Sequence, residues 1–70
     1  MSYLVLYEKG PKNYSAYVPD LPGCVAAAKT LRAVEKLMRE AIAFHIESLR
    51  EHGEPIPQPT IVGAEMVLAG

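Results

Sequence analysis

Thr30-Leu31-Arg32-Ala33-Val34-Glu35-Lys36-Leu37-Met38-Arg39-Glu40-Ala41-Ile42-Ala43-Phe44-His45-Ile46-Glu47-Ser48-Leu49-Arg50-Glu51-His52-Gly53-Glu54-Pro55 decides the fold of this 70-residue chain. Val34, Met38, Ala41, Ile42, His45 and Leu49 recur at helical spacing and share one face. Arg32, Lys36, Arg39, Glu40, Glu47 and Arg50 hold the opposite arc. Thr30 is a good N-cap, because its hydroxyl can take an orphan N–H of the first turn. Gly53 followed by Pro55 stops the helix: glycine accepts positive φ, and proline cannot continue the ladder. The pattern predicts a helix over Leu31–His52, roughly 33 Å long. Leu37, Met38, Ala41, Ile42, His45 and Leu49 are expected to lie against a sheet.

That sheet is read upstream. Tyr3-Leu4-Val5-Leu6-Tyr7 is aromatic and aliphatic, and Gly10-Pro11-Lys12-Asn13 punctuates it, which reads as strand then turn. Tyr14–Val18 alternates well enough to be its hairpin partner. Pro19-Asp20-Leu21-Pro22-Gly23 breaks the pairing, since two prolines remove ladder donors. Cys24–Ala28 suits a third strand. Downstream, Pro55, Pro57 and Pro59 force an extended arm, and Ala64-Glu65-Met66-Val67-Leu68 is expected to form a last strand. The expected class is α+β in the order β-β-β-α-β: a three-stranded antiparallel sheet packed by one long helix, with a short C-terminal strand.

Composition narrows the function. Half of the residues are apolar and 21% are charged, an ordinary globular balance. A formal net charge of -1 leaves no basic footprint for nucleic acid. No apolar run reaches the roughly 18 residues of a membrane span. MSYLVLYEKG lacks the features of a signal peptide, and the one cysteine can form no internal disulfide. The expected compartment is therefore the cytoplasm. Residues 1–70 are expected to form one domain.

Enzyme motifs are missing: there is no G-x-S-x-G, P-loop, G-x-G-x-x-G or H-E-x-x-H. Cys24, His45 and Asp20 are the right types for a nucleophile, base and orienter, but nothing in their spacing brings them together. Cys24 reads as a buried small hydrophobe, His45 as a packed ring and His52 as a helix-end residue. Glu8, Asp20 and Glu65 form no inward acid pair of the kind a metal-dependent nuclease needs. No catalytic, cofactor or metal residue is assigned.

Pro19-Asp20-Leu21-Pro22-Gly23-Cys24, then the capped helix with Arg39-Glu40-Ala41-Ile42-Ala43-Phe44-His45-Ile46-Glu47-Ser48-Leu49, then Gly53-Glu54-Pro55-Ile56-Pro57-Gln58-Pro59, resembles the HicB-like antitoxin family. The likeness runs from about Tyr3 to Pro59. It implies a partial ribonuclease-H-like fold without that fold's catalytic acids. It also implies a protein that binds and blocks a small basic HicA-like toxin, an RNA-cleaving partner, by steric occlusion. Tyr17, Asp20, Leu21, Pro22 and Gly23 are the partner-binding candidates. Many relatives add a C-terminal DNA-binding module, but only 17 residues follow Gly53 here. A separate DNA-binding domain, and direct DNA binding by this chain alone, are therefore not expected. Ala26-Ala27-Ala28-Lys29-Thr30 stands where the family commonly has Gly-Asp-Thr, so this turn must do without a glycine conformation or strain Ala28 or Lys29 into it.

The alternative function is a homo-oligomeric structural or ligand-binding protein without a toxin. Assembly is expected in either case. The first strand is apolar on both faces, one helix covers only one face, and so small a core rarely supplies more than about 3–5 kcal/mol. A homodimer, or a tetramer built from dimers through strand and C-terminal contacts, is the expected state.

Overall fold

Gly10 closes the first hairpin, its N–H donating to the Asn13 carbonyl at 2.7 Å. In this computed structural model, which describes residues 1–70, the hairpin joins β1 (Leu6–Lys9) to β2 (Tyr14–Tyr17). β3 (Val25–Ala28) follows, and the antiparallel sheet has the order β1-β2-β3. Register runs Leu6↔Tyr17↔Val25 at one end and Lys9↔Tyr14↔Ala28 at the other. The first strand is shorter than its apolar run. β2 cannot pair beyond Tyr17, because Val18 turns to donate to the Cys24 carbonyl and Pro19 has no donor. Tyr3, Leu4 and Val5 therefore lie half-buried beside the core without a ladder.

α1 (Leu31–Glu51) starts where the cap requires. Thr30 is extended at φ -129°, and its Oγ1 accepts the Ala33 N–H at 3.1 Å. The helix ends in a Schellman motif. Gly53 at φ +66° donates to Arg50, and Glu54 donates to Leu49. His52 caps the last turn, with its ring Nδ1 2.7 Å from the Ser48 carbonyl. Ala28 and Lys29 avoid strain, since no residue other than glycine has positive φ.

The core is small. Ala16, Val18, Leu21, Cys24, Val34 and Met38 are the only buried residues among the 70. Tyr3, Val5, Tyr14, Ala26, Ala28, Ala41, Ile42 and Ile46 pack against them, half-buried. Two expectations are corrected here. Leu37 is 41% exposed and not on the core face. The helix lies over β3 and β2 and does not engage β1, so its inward stripe is rotated toward Val34 and Ile46. No strand forms after Glu51. Ala64–Leu68 finds no ladder partner in its own chain, and a lone extended segment has no inter-strand hydrogen bonds to hold it.

Candidate functional site

The turn after β2 is built from two consecutive reverse turns that share Leu21. Leu21 N–H donates to the Val18 carbonyl and Cys24 N–H to the Leu21 carbonyl, both at 3.0 Å. Gly23 completes the reversal at φ +86°, where a side chain would be strained. This geometry drives Leu21 wholly into the core and leaves Pro22 and Gly23 in solvent.

The five sequence candidates thus divide. Leu21 is 0% exposed, its side chain packed wholly into the core. Asp20 is engaged within the chain. Its Oδ1 accepts the Thr60 hydroxyl at 2.6 Å, and its Oδ2 accepts the N–H groups of Thr60 and Ile61 at 2.9 and 3.2 Å. The Thr60 hydroxyl, then the Thr60 N–H, hold the Asp20 carboxyl below its usual 3.8, with partial burial opposing them. Tyr17, Pro22 and Gly23 remain at the surface.

Tyr17 has company. Ala16 is buried against the helix, so strand alternation turns Ser15 and Tyr17 to the open face of the sheet. Register then aligns Leu6, Tyr17 and Val25 as an apolar row across all three strands, beside the Pro22 turn. Tyr17 is thus an exposed aromatic within an apolar row at the surface.

The Asp20 contacts belong to a larger feature that sequence reasoning missed. The arm after Gly53 folds back along the sheet end, where the Tyr3 hydroxyl donates to the Pro57 carbonyl and Asp20 grips Thr60. A partner 40 residues away leaves no local signal. The second omission was legible: Leu37, Ala41 and Phe44 stand at i, i+4 and i+7 on the helix. With Val25, Ala26 and Ala27 they line a shallow apolar groove.

Cys24 is buried, and desolvation pushes its thiol up, away from the nucleophilic thiolate. No three His, Cys, Asp or Glu side chains converge on a point that could hold a metal ion. No helix is long and apolar enough to cross a membrane.

Comparison with known proteins gives the geometry a context. The family described as "HicB-like antitoxin of bacterial toxin-antitoxin system" matches residues 3–68. An uncharacterized 14.9 kDa protein of Haemophilus phage HP1 is 41% identical over 58 residues, 83% of this chain but only 44% of the phage protein. A UPF0150 protein of Thermoplasma acidophilum is also 41% identical, over 83% of this chain and 86% of its own length. Among solved structures, one chain of a HicA3 and HicB3 toxin-antitoxin complex superposes with a TM-score of 0.71 at 37% identity, covering 81% of this chain and 66% of that one.

Proposed function

The chain belongs to the HicB-like antitoxin family, and from that premise we propose that it binds a small basic HicA-like ribonuclease toxin and blocks it by occlusion. One observation carries the reading: the likeness, at 37% identity, to a chain solved within a complex of HicA3 and HicB3. In this reading the chain performs no catalysis and acts in the cytoplasm, where the toxin's RNA is found. Tyr17, Pro22 and Gly23, with Leu6 and Val25 beside them, meet the toxin. Asp20 and Leu21 act behind them, holding the turn in shape. With a net charge of -1 the chain exerts little long-range pull on a basic partner. Affinity then comes from shape and apolar burial, and from a slow dissociation more than from a steered encounter.

The test is an RNA-cleavage assay with the purified chain and a HicA-like ribonuclease encoded beside its gene. Equimolar chain is expected to protect the RNA, and Tyr17→Asp to weaken the complex by roughly tenfold or more, as for a central aromatic anchor. Undiminished cleavage at saturating chain, or metal-dependent cleavage by the chain alone, would defeat the proposal.

A further inference from the structure

Asp20 lies midway along the turn that joins Tyr17 to Val25, yet none of its side-chain hydrogen bonds serves that turn. An aspartate in a reverse turn ordinarily caps its own backbone two residues on. Here both carboxylate oxygens accept only from the arm, at Thr60 and Ile61. Inside the turn only backbone bonds act: Val18 donates to Cys24, Leu21 to Val18 and Cys24 to Leu21. Leu21 anchors the turn in the core, and a loop pinned at one point can still pivot about it. The Asp20–Thr60 bonds supply a second fixed point. Pro19 and Pro22 flank Asp20 and Leu21 with locked φ, so a displacement of Asp20 is passed on to Pro22 and Gly23.

The arm also reaches the other side of the same sheet end. Tyr3, three residues before Leu6, donates its hydroxyl to the Pro57 carbonyl. Residues 57–61 thus tie the chain entering β1 to the turn leaving β2, the two flanks of the row Leu6↔Tyr17↔Val25. Only four hydrogen bonds, each involving a side chain, hold the arm beyond Glu54, and its residues are half-buried or exposed. A segment held so lightly opens at a free energy well below that of global unfolding. Pro55, Pro57 and Pro59 restrict the open arm, so redocking loses little chain entropy. The arm therefore has two states, docked and open, and only the docked one fixes the turn at two points.

We propose that the arm is a switch for the Tyr17 surface, with Thr60 as a positioning residue that acts through Asp20 to fix Pro22 and Gly23 at the angle at which they meet a partner. With the arm open, the turn pivots about Leu21 and the surface loses its fit. The proposal rests on the reading that this surface meets a toxin, and it adds a control remote from the contact. Coupling of this kind is reciprocal: a partner that selects the fixed turn also holds the arm down, by the same factor. Neither effect requires Thr60 to touch the partner.

The experiment uses the full chain, with Thr60→Pro to release the arm and Thr60→Ser to keep it. Thr60→Pro removes both donors of Thr60, at an exposed position that already follows a proline. In the free variant the Ile61 amide should move to its random-coil shift and the Leu21, Gly23 and Val25 amide resonances should move with it. The Val34 amide should keep its protection from exchange, and Thr60→Ser should match the parent throughout. An immobilised HicA-like ribonuclease encoded beside the gene should bind Thr60→Pro roughly tenfold more weakly, within the range of about 5–150-fold usual for coupled sites. At saturation that toxin should slow hydrogen exchange of the parent's Thr60 and Ile61 amides by the same factor. A released arm with unmoved turn resonances would overturn the proposal, and so would a moved turn with parental toxin affinity. So would an Ile61 amide that stays put in Thr60→Pro, since Asp20 would then not be what holds the arm. Lost affinity with an unmoved turn would mean that Thr60 touches the partner itself, which equally ends the idea. A parent chain that binds no toxin would defeat the antitoxin reading, and the free-chain resonances would still decide whether arm and turn are coupled.

Discussion

Asp20 and Thr60 are joined by two hydrogen bonds, hydroxyl to Oδ1 at 2.6 Å and backbone N–H to Oδ2 at 2.9 Å, so that a turn in the sheet grips the arm leaving the helix. A candidate partner-binding residue is thereby engaged in internal architecture. The carboxylate acts as a small cap for two consecutive N–H groups that no ladder satisfies.

This grip should loosen in acid. The bonds to Thr60 lower the folded-state value of Asp20 below the 3.8 of an unfolded chain. A depressed carboxyl stabilises the folded state above the unfolded value and loses that contribution as pH falls through the folded one. The amide resonances of Thr60 and Ile61 are expected to titrate together with a midpoint below 3.8. In Asp20→Ala they should lie at random-coil shifts at every pH. Unchanged shifts in the variant would show that the arm is held by something else.

Leu21 and Pro22 are adjacent and should behave oppositely. Leu21 is fully buried, so Leu21→Ala is expected to cost about 2–5 kcal/mol, comparable to the whole stability of so small a core. Pro22→Ala, at an exposed position, should stay within about 0.5 kcal/mol. Urea denaturation followed by circular dichroism decides both. Equal effects would contradict the inward turn of Leu21.

The helix start is improvable. Thr30 caps Ala33, but the first turn contains no acidic residue. Ala33→Glu would complete a capping box and place a negative charge at the positive end of the helix, a gain of about 0.3–1 kcal/mol. Thr30→Ala should lose about 1 kcal/mol. Opposite shifts of the melting temperature are the expected signature, and a fall in both would mean that Arg32 or Lys36 governs this end.

The parts that sequence made legible were those with local causes. Thr30 and Gly53 mark the ends of α1 because caps act within one turn, and Pro19 ends the β2 pairing because it lacks a donor. The inward face was read less well. Leu37 belongs to the same apolar arc as Met38, and only the lateral offset of helix over sheet, a tertiary quantity, turns one outward and the other in. The last strand failed for a related reason: alternation marks Ala64–Leu68 as able to pair but does not supply an edge. At the candidate site, Tyr17, Pro22 and Gly23 lie at the surface, while the destinations of Asp20 and Leu21 were not legible in the sequence. Both depend on what the chain brings to the turn from elsewhere.

Gly23 offers a test of pure backbone strain. An added Cβ would meet nothing within 4 Å, yet its φ of +86° is unfavourable for any side chain. Gly23→Ala is expected to destabilise by roughly 1–2 kcal/mol. A melting temperature equal to that of the parent would mean that the turn relaxes into another conformation.

The arm contacts also order events in time. The sheet pairs only neighbouring strands and the helix is local, so the body can assemble from contacts of short sequence separation. The Tyr3–Pro57 and Asp20–Thr60 bonds span 54 and 40 residues, and they close the largest loops in the molecule. On a ribosome the body is complete in sequence before the arm emerges, and docking of the arm becomes a separate, later and more easily reversed step. Native-state hydrogen exchange should find Thr60 and Ile61 opening well before Val34 and Met38. If all four exchange as one unit, the arm is part of the folding nucleus and not its latch.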